Sequence, residues 1–195
     1  MSNAWDIRPW AERGERSEND LFVAVGKALS HWELLEQAIA GLFTLVTVGS
    51  YYAPSAPTLR AYSSVASSGN RIQMVRAALE GWLRDWKDCP LCENSLGILK
   101  ECSGWAGRRN DIAHGLVDRF VDEFEKGWFL VPALYSKKGR NEVGKVDYRY
   151  NAEIILNFSD QFLELHNRLN EITSAMGEWH PIAASQRMGE RTQKT

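Results

Sequence analysis

The sequence predicts a mainly α-helical fold: an antiparallel four-helix bundle with a β-hairpin inserted before the last helix. Three observations predict it. Four segments repeat apolar residues at intervals of three and four, the period of a helix with one buried face. Between the third and fourth segments, about residues 116–150, the pattern shifts to short Val-, Phe-, Tyr- and Trp-rich runs separated by turn chemistry. Helices with one apolar stripe each bury those stripes against one another, which is the bundle solution.

Taken in order, residues 1–16 carry charges of both signs and are expected as a flexible N-terminal arm, with Trp5 and Trp10 as anchors. Ser17 or Asn19 caps the first helix, and Glu18 and Asp20 suit its positive end. Leu21, Val25, Ala28, Trp32, Leu35, Ile39, Leu42 and Val46 form one stripe of about seven turns. Thr44 to Val48 is β-branched and frays before Gly49, and a proline-bearing loop follows to Thr58. A second helix lies between Thr58 and Trp86, on Ile72, Val75, Leu79, Trp82 and Trp86. Ser67-Ser68-Gly69-Asn70 weakens its first half and predicts a kink or a late start.

The third helix runs from Glu93 to Ala113, with Ile98, Trp105 and Ile112 at sevens, Cys102 beside them and Gly115 as its stop. Leu116 to Phe124, Trp128 to Tyr135 and Val146 to Tyr150 read as two or three antiparallel strands. The last helix carries Ile154, Phe158, Phe162, Leu165, Leu169, Ile172 and Met176, with Asn151 as cap and Gly177 as end. Residues 17–178 thus form the bundle, and residues 179–195 are expected as a disordered tail.

The length, 195 residues, suits one large domain or two small ones. A net charge of −2 argues against a bulk nucleic-acid coat but leaves room for a local basic site. Eight tryptophans promise a large buried apolar area or an aromatic interface. The three cysteines, an odd count without a secretory signal, fit a reducing, cytoplasmic setting. The longest apolar run, Ala38 to Val48, is too short to span a bilayer, so no membrane partner is expected. Neither a phosphate-binding P-loop, a dinucleotide fingerprint nor a nucleophile elbow is present.

Chemistry concentrates in Arg108-Arg109-Asn110-Asp111-Ile112-Ala113-His114-Gly115, at the end of the third helix. With Trp105 at zero on the helical wheel, Ile98, Ile112 and Leu116 fall within about 20° of it. Arg109 falls at about 40°, Asn110 at about 140° and His114 at about 180°. Asn110 and His114 therefore share an outer face, one turn apart. Arg109 leans from the core side, where a guanidinium needs a partner, and Glu36 is the expected one.

The spacing Arg109-Asn110-Asp111-Ile112-Ala113-His114 resembles the R-x(4–6)-H signature of the HEPN family, whose helical bundles carry it at the end of a late helix. The resemblance is expected to cover residues 17–178, with its specific signal in these six residues. It implies a metal-independent endoribonuclease, often a toxin or defence effector paired with an antitoxin protein. It also implies a homodimer with both motifs lining one cleft, and no cofactor. A ribose 2′-OH attacks the adjacent phosphate, leaving a 2′,3′-cyclic phosphate and a 5′-OH. In that scheme His114 is the general acid or base, Arg109 holds the phosphorane charge and Asn110 orients the imidazole or the phosphate. One HEPN subgroup carries a modified tyrosine two residues after the histidine. Leu116 stands there in this chain, which puts that mode of regulation in doubt.

Arg108, Asp111, Arg119, Lys137, Lys138 and Arg140 form the expected binding set, with Lys145 and Arg149 adding to a basic hairpin that guides RNA. For Asp111 a structural role is the alternative, and for the hairpin a solvated tip. Tyr135, Tyr148 and Tyr150 stack bases or pack the sheet onto the bundle. Cys89-x-x-Cys92 with Cys102 lacks an evident fourth ligand, with His31 and His180 as loose options, so no metal site is expected. His31 and His166 read as structural histidines. Three classes of function follow: the ribonuclease, a non-catalytic dimerisation or RNA-binding module of the same fold, and a structural or partner-binding bundle.

Overall fold

The computed structural model describes residues 3–49, 56–89, 91–121, 126–133 and 146–192, side chains at 56, 92, 93 and 181–192 excepted. These residues form a short 3-10 helix, Ala4–Asp6, and five α-helices: α1 (Glu18–Val48), α2 (Ala56–Ser64), α3 (Ser68–Asp85), α4 (Cys92–Ala113) and α5 (Ala152–Thr192). Between α4 and α5, strands β1 (Gly115–Val121) and β2 (Lys126–Pro132) pair antiparallel, Leu116 opposite Val131 and Arg119 opposite Trp128. The chain is mainly helical, with a small two-stranded hairpin before the last helix, as the periodicity predicts.

The helix boundaries differ from expectation at two places. The segment read as one second helix is two. Ser67 is extended, and its hydroxyl accepts the Asn70 N–H at 3.2 Å, so it starts α3 afresh. Gly177 does not end α5, which runs on to Thr192 where a disordered tail is expected. A glycine costs a helix only about 1 kcal/mol. Just beyond it, Trp179 and His180 pack against Trp82 and Trp86, with His180 and Trp86 ring centres 4.6 Å apart.

Backbone contacts group the chain into two compact units: Met1–Leu35 with Gly104–Glu164, and Glu36–Ser103 with Leu165–Thr195. In the first, the start of α1 buries Leu21, Ala28, Trp32 and Leu35, and the end of α4 buries Trp105 and Ile112. The start of α5 buries Ile155, Phe158 and Phe162, and Asn151 caps this helix by accepting the Ile154 N–H at 3.0 Å. Trp32 meets Phe162 edge to face at 5.1 Å, and Trp105 meets Phe158 at 5.8 Å. Among the described residues, the expected third strand, Val146 to Tyr150, is represented by isolated bridges, of which Leu130 to Tyr150 joins it to β2.

Where a loose arm is expected, residues 3–16 carry specific pairings. Glu15 and Trp128 exchange two backbone hydrogen bonds of 2.9 Å, and Trp10 bridges Arg149. The Arg149 guanidinium lies 4.6 Å from both the Trp10 and the Phe129 ring centres, and its Nε donates to the Ala11 carbonyl at 2.9 Å. Arg149 is therefore a buried strut of this unit, not part of a basic hairpin surface. Trp5 sits over Gly104, where a Cβ would lie 2.5 Å from the indole.

In the second unit, α1 buries Ile39, Leu42 and Leu45, α3 buries Ile72, Val75, Leu79 and Trp82, and α4 buries Ile98, Leu99 and Cys102. α5 adds Leu165, Leu169 and Met176. Glu36, predicted as the partner of Arg109, instead accepts from the Tyr62 hydroxyl at 2.9 Å and from Arg71 Nη1 at 3.3 Å. The wheel places Glu36 at the edge of a stripe but carries no information on which helix covers that edge. Burial pushes the Glu36 carboxyl up, but hydrogen bonds from Ser68, Tyr62 and Arg71 outweigh it and hold the group below its ordinary value. Among the described residues no helix is long and apolar enough to cross a membrane.

Candidate functional site

The final turns of α4 sort residues 108–114 onto two faces. Helix α4 stops at Ala113, and the His114 N–H still bonds to the Asn110 carbonyl at 3.1 Å. Gly115 then opens β1. A Cβ there would lie 2.8 Å from the Leu130 side chain and 2.9 Å from the Asp111 carbonyl, so the tight passage from helix to strand needs a glycine.

Asn110 and His114 are exposed on the outer face, as the wheel predicts. Arg109 leans from the core side with its side chain 25% exposed, so it is not sealed in the core. Its Nη1 donates to Asn110 Oδ1 at 3.3 Å, and its Nη2 lies 4.0 Å from the Glu33 carboxylate. Its Nε is buried with no hydrogen-bond partner among the described residues.

Arg108 and Asp111 take the inner face. Arg108 is 8% exposed, and its Nη1 donates to Asp111 Oδ2 at 2.8 Å and to the Tyr150 hydroxyl at 2.9 Å. The Tyr150 hydroxyl donates in turn to the same carboxylate oxygen at 2.9 Å. The Tyr148 hydroxyl donates to the Asp111 main-chain carbonyl at 2.9 Å, and Arg8 Nη2 reaches Asp111 Oδ1 at 3.3 Å. The two tyrosine rings stack at 4.6 Å. Burial, and after it the Asp111 charge, pushes both phenols above their ordinary value, so they stay protonated as donors.

This network changes the role of two residues in the expected binding set. Arg108 and Asp111 are committed inward, where a ligand does not reach them without breaking the network. Arg108 lies about 60° from Trp105 on the wheel, nearer the core stripe than Asn110, and that position carries the signal. Arg8, Tyr148 and Tyr150 come from distant parts of the chain, and no local pattern marks them as partners of α4. The two tyrosines are buried, the sheet-packing use of the two expected.

Arg119 is exposed on β1, its guanidinium 5.9 Å from the Trp128 ring centre. Lys137, Lys138 and Arg140 lie outside the described residues, as do Tyr135 and Lys145. His31 Nδ1 contacts the Ser159 hydroxyl at 2.9 Å, the structural use expected of it. Cys89 and Cys102 are buried. Burial first, and then the Glu101 charge, pushes the Cys102 thiol up to about 12, which leaves it protonated and unreactive near neutrality. Among the described residues no group of three or more His, Cys, Asp or Glu side chains is placed to hold a metal ion.

An imidazole, an amide and a partly exposed guanidinium thus sit on the rim of one helix end, braced from beneath by a buried ion network. An imidazole moves protons near neutrality, and a guanidinium matches phosphate oxygens. This chain matches no protein-family model, no curated protein and no solved structure.

Proposed function

We propose that this chain is a HEPN-like, metal-independent endoribonuclease of the cytoplasm, built on a four-helix bundle core and working as a homodimer. The observation that carries the reading is the exposure of Asn110 and His114, with Arg109 half-buried beside them, at the end of a braced helix. In a lone chain Arg109 turns toward Asn110 and Glu33. A second copy facing this rim supplies the second imidazole that a two-proton reaction needs.

In the reaction, one His114 takes the proton of a ribose 2′-OH as that oxygen attacks phosphorus. Arg109 holds the charge on the phosphorane oxygens. His114 of the second copy gives a proton to the departing 5′ oxygen, leaving a 2′,3′-cyclic phosphate and a 5′-OH. Asn110 fixes the phosphate or the ring. A toxin or defence role, with a protein antitoxin as partner, fits this activity.

Incubating the purified protein with a structured RNA in EDTA tests the reading, beside Arg109→Ala and His114→Ala. Removing a general acid–base group lowers the rate by about 10²–10⁴-fold. Equal cleavage by all three proteins, or strict dependence on added metal, contradicts the proposal. A stable homodimer that binds RNA without cleaving it turns the reading to the non-catalytic module of the same fold.

A further inference from the structure

We infer that the cavity where the N-terminal segment meets the hairpin is a subsite for the backbone and a base of single-stranded RNA. It has a volume of about 460 Å³, and its lining includes Arg16, Arg119, Lys126 and Trp128. Two glycines create it. Gly127 has φ +134°, and a Cβ there would lie 2.7 Å from the Gly14 carbonyl carbon, while a Cβ on Gly14 would lie 2.6 Å from the Phe129 ring. The two backbones therefore touch, and the longer side chains on either side stand around the gap.

The three cations are exposed, and no carboxylate among the described residues pairs with them. Glu15 also lines the cavity, but its carboxylate already accepts the Ala152 N–H at 2.9 Å. Asp122, Glu123 and Glu125 follow in the sequence, so bulk positive charge is not what defines the site. The defining feature is the exposed Arg119, with its guanidinium over the Trp128 ring. A guanidinium backed by an aromatic ring offers a plane on which a base stacks and a fork that takes phosphate oxygens. Arg16 and Lys126 add point charges for neighbouring phosphates.

Placement favours RNA over a small anion. β1 runs from Gly115, next to His114, to Arg119, a rise of about 13 Å. A strand held in the cavity and laid along β1 leads to the exposed face of His114. The choice of RNA rests on the ribonuclease reading; the cavity itself does not.

The test is fluorescence anisotropy of a short labelled single-stranded RNA of mixed sequence, titrated with full-length His114→Ala protein, which prevents turnover. In that background Arg119→Ala weakens binding about tenfold, the scale of one lost stacking contact. Arg119→Lys keeps the charge, loses the plane and weakens binding nearly as much. Combined Arg16→Ala, Arg119→Ala and Lys126→Ala lowers the slope of log affinity against log salt by about 2, roughly 0.7 for each cation lost. Lys100→Ala, an exposed charge elsewhere on α4, is the matched control, and circular dichroism checks that each variant is folded.

Cavity variants that bind like the Lys100→Ala control overturn the inference even if the wild-type protein cleaves RNA. Loss of binding in the cavity variants supports it even if the wild-type protein proves inactive, in which case only the ribonuclease reading falls. A parent protein that binds no RNA at all overturns it outright.

Discussion

Asp111 with Tyr150 and Arg108 in one unit, and Glu36 with Tyr62 and Arg71 in the other, are the same chemical device in two settings. In each a largely buried carboxylate accepts from a tyrosine hydroxyl at 2.9 Å and from an arginine Nη1, at 2.8 Å and 3.3 Å respectively. In the first, acid and arginine are three residues apart on α4, and both side chains are at most 10% exposed. In the second, the three groups come from α1, α2 and α3, and Arg71 is 25% exposed. The first adjoins the exposed Asn110 and His114; the second holds three helices together. A buried carboxylate–arginine pair therefore marks architecture in both units, and the candidate chemistry is what stands exposed beside one of them.

The two carboxylates should differ most in what their loss leaves behind. Asp111→Ala leaves the Arg108 guanidinium buried without its counter-charge, and the thermal unfolding curve should show a loss of about 3–5 kcal/mol. Glu36→Ala costs less, about 1.5–3 kcal/mol, because Arg71 turns into water. Equal losses would mean that burial of the arginine does not set the difference.

Acidity sharpens the contrast. The folded Glu36 carboxyl titrates below its unfolded value, so its stabilisation is present above about pH 4.3 and is lost as pH falls through the folded value. The melting-temperature gap between wild type and Glu36→Gln therefore narrows on acidification. The Tyr148 and Tyr150 phenols are raised, so their contribution is present below about pH 10 and is lost as pH rises towards the folded value. Tyr150→Phe, costing about 0.5–1.5 kcal/mol at neutral pH, flattens that alkaline limb and leaves the acid limb unchanged. The smallest effect on stability is at His114, where alanine shifts unfolding by no more than about 0.5 kcal/mol.

Much of this fold is legible in the sequence because helices announce themselves by period. The stripes on α1, α4 and α5, the hairpin between α4 and α5, and the shared outer face of Asn110 and His114 all follow from spacing alone. What spacing does not carry is the identity of a partner distant in the chain. The arm's pairing with Trp128 and Arg149, the capture of Asp111 by Arg8 and Tyr150, and the choice of Arg71 over Arg109 by Glu36 are tertiary facts. Two breaker signals also read ambiguously. Ser67 begins a helix because its hydroxyl finds the Asn70 N–H. Gly177 fails to end one where Trp179 and His180 have aromatic neighbours to pack on.

Single-turnover cleavage of RNA in EDTA by folded His114→Ala protein tests the separation of bracing from chemistry most directly. The expected result is a melting temperature close to that of the wild type, with cleavage at least about a hundredfold slower. A folded His114→Ala protein that cleaves at the wild-type rate contradicts it.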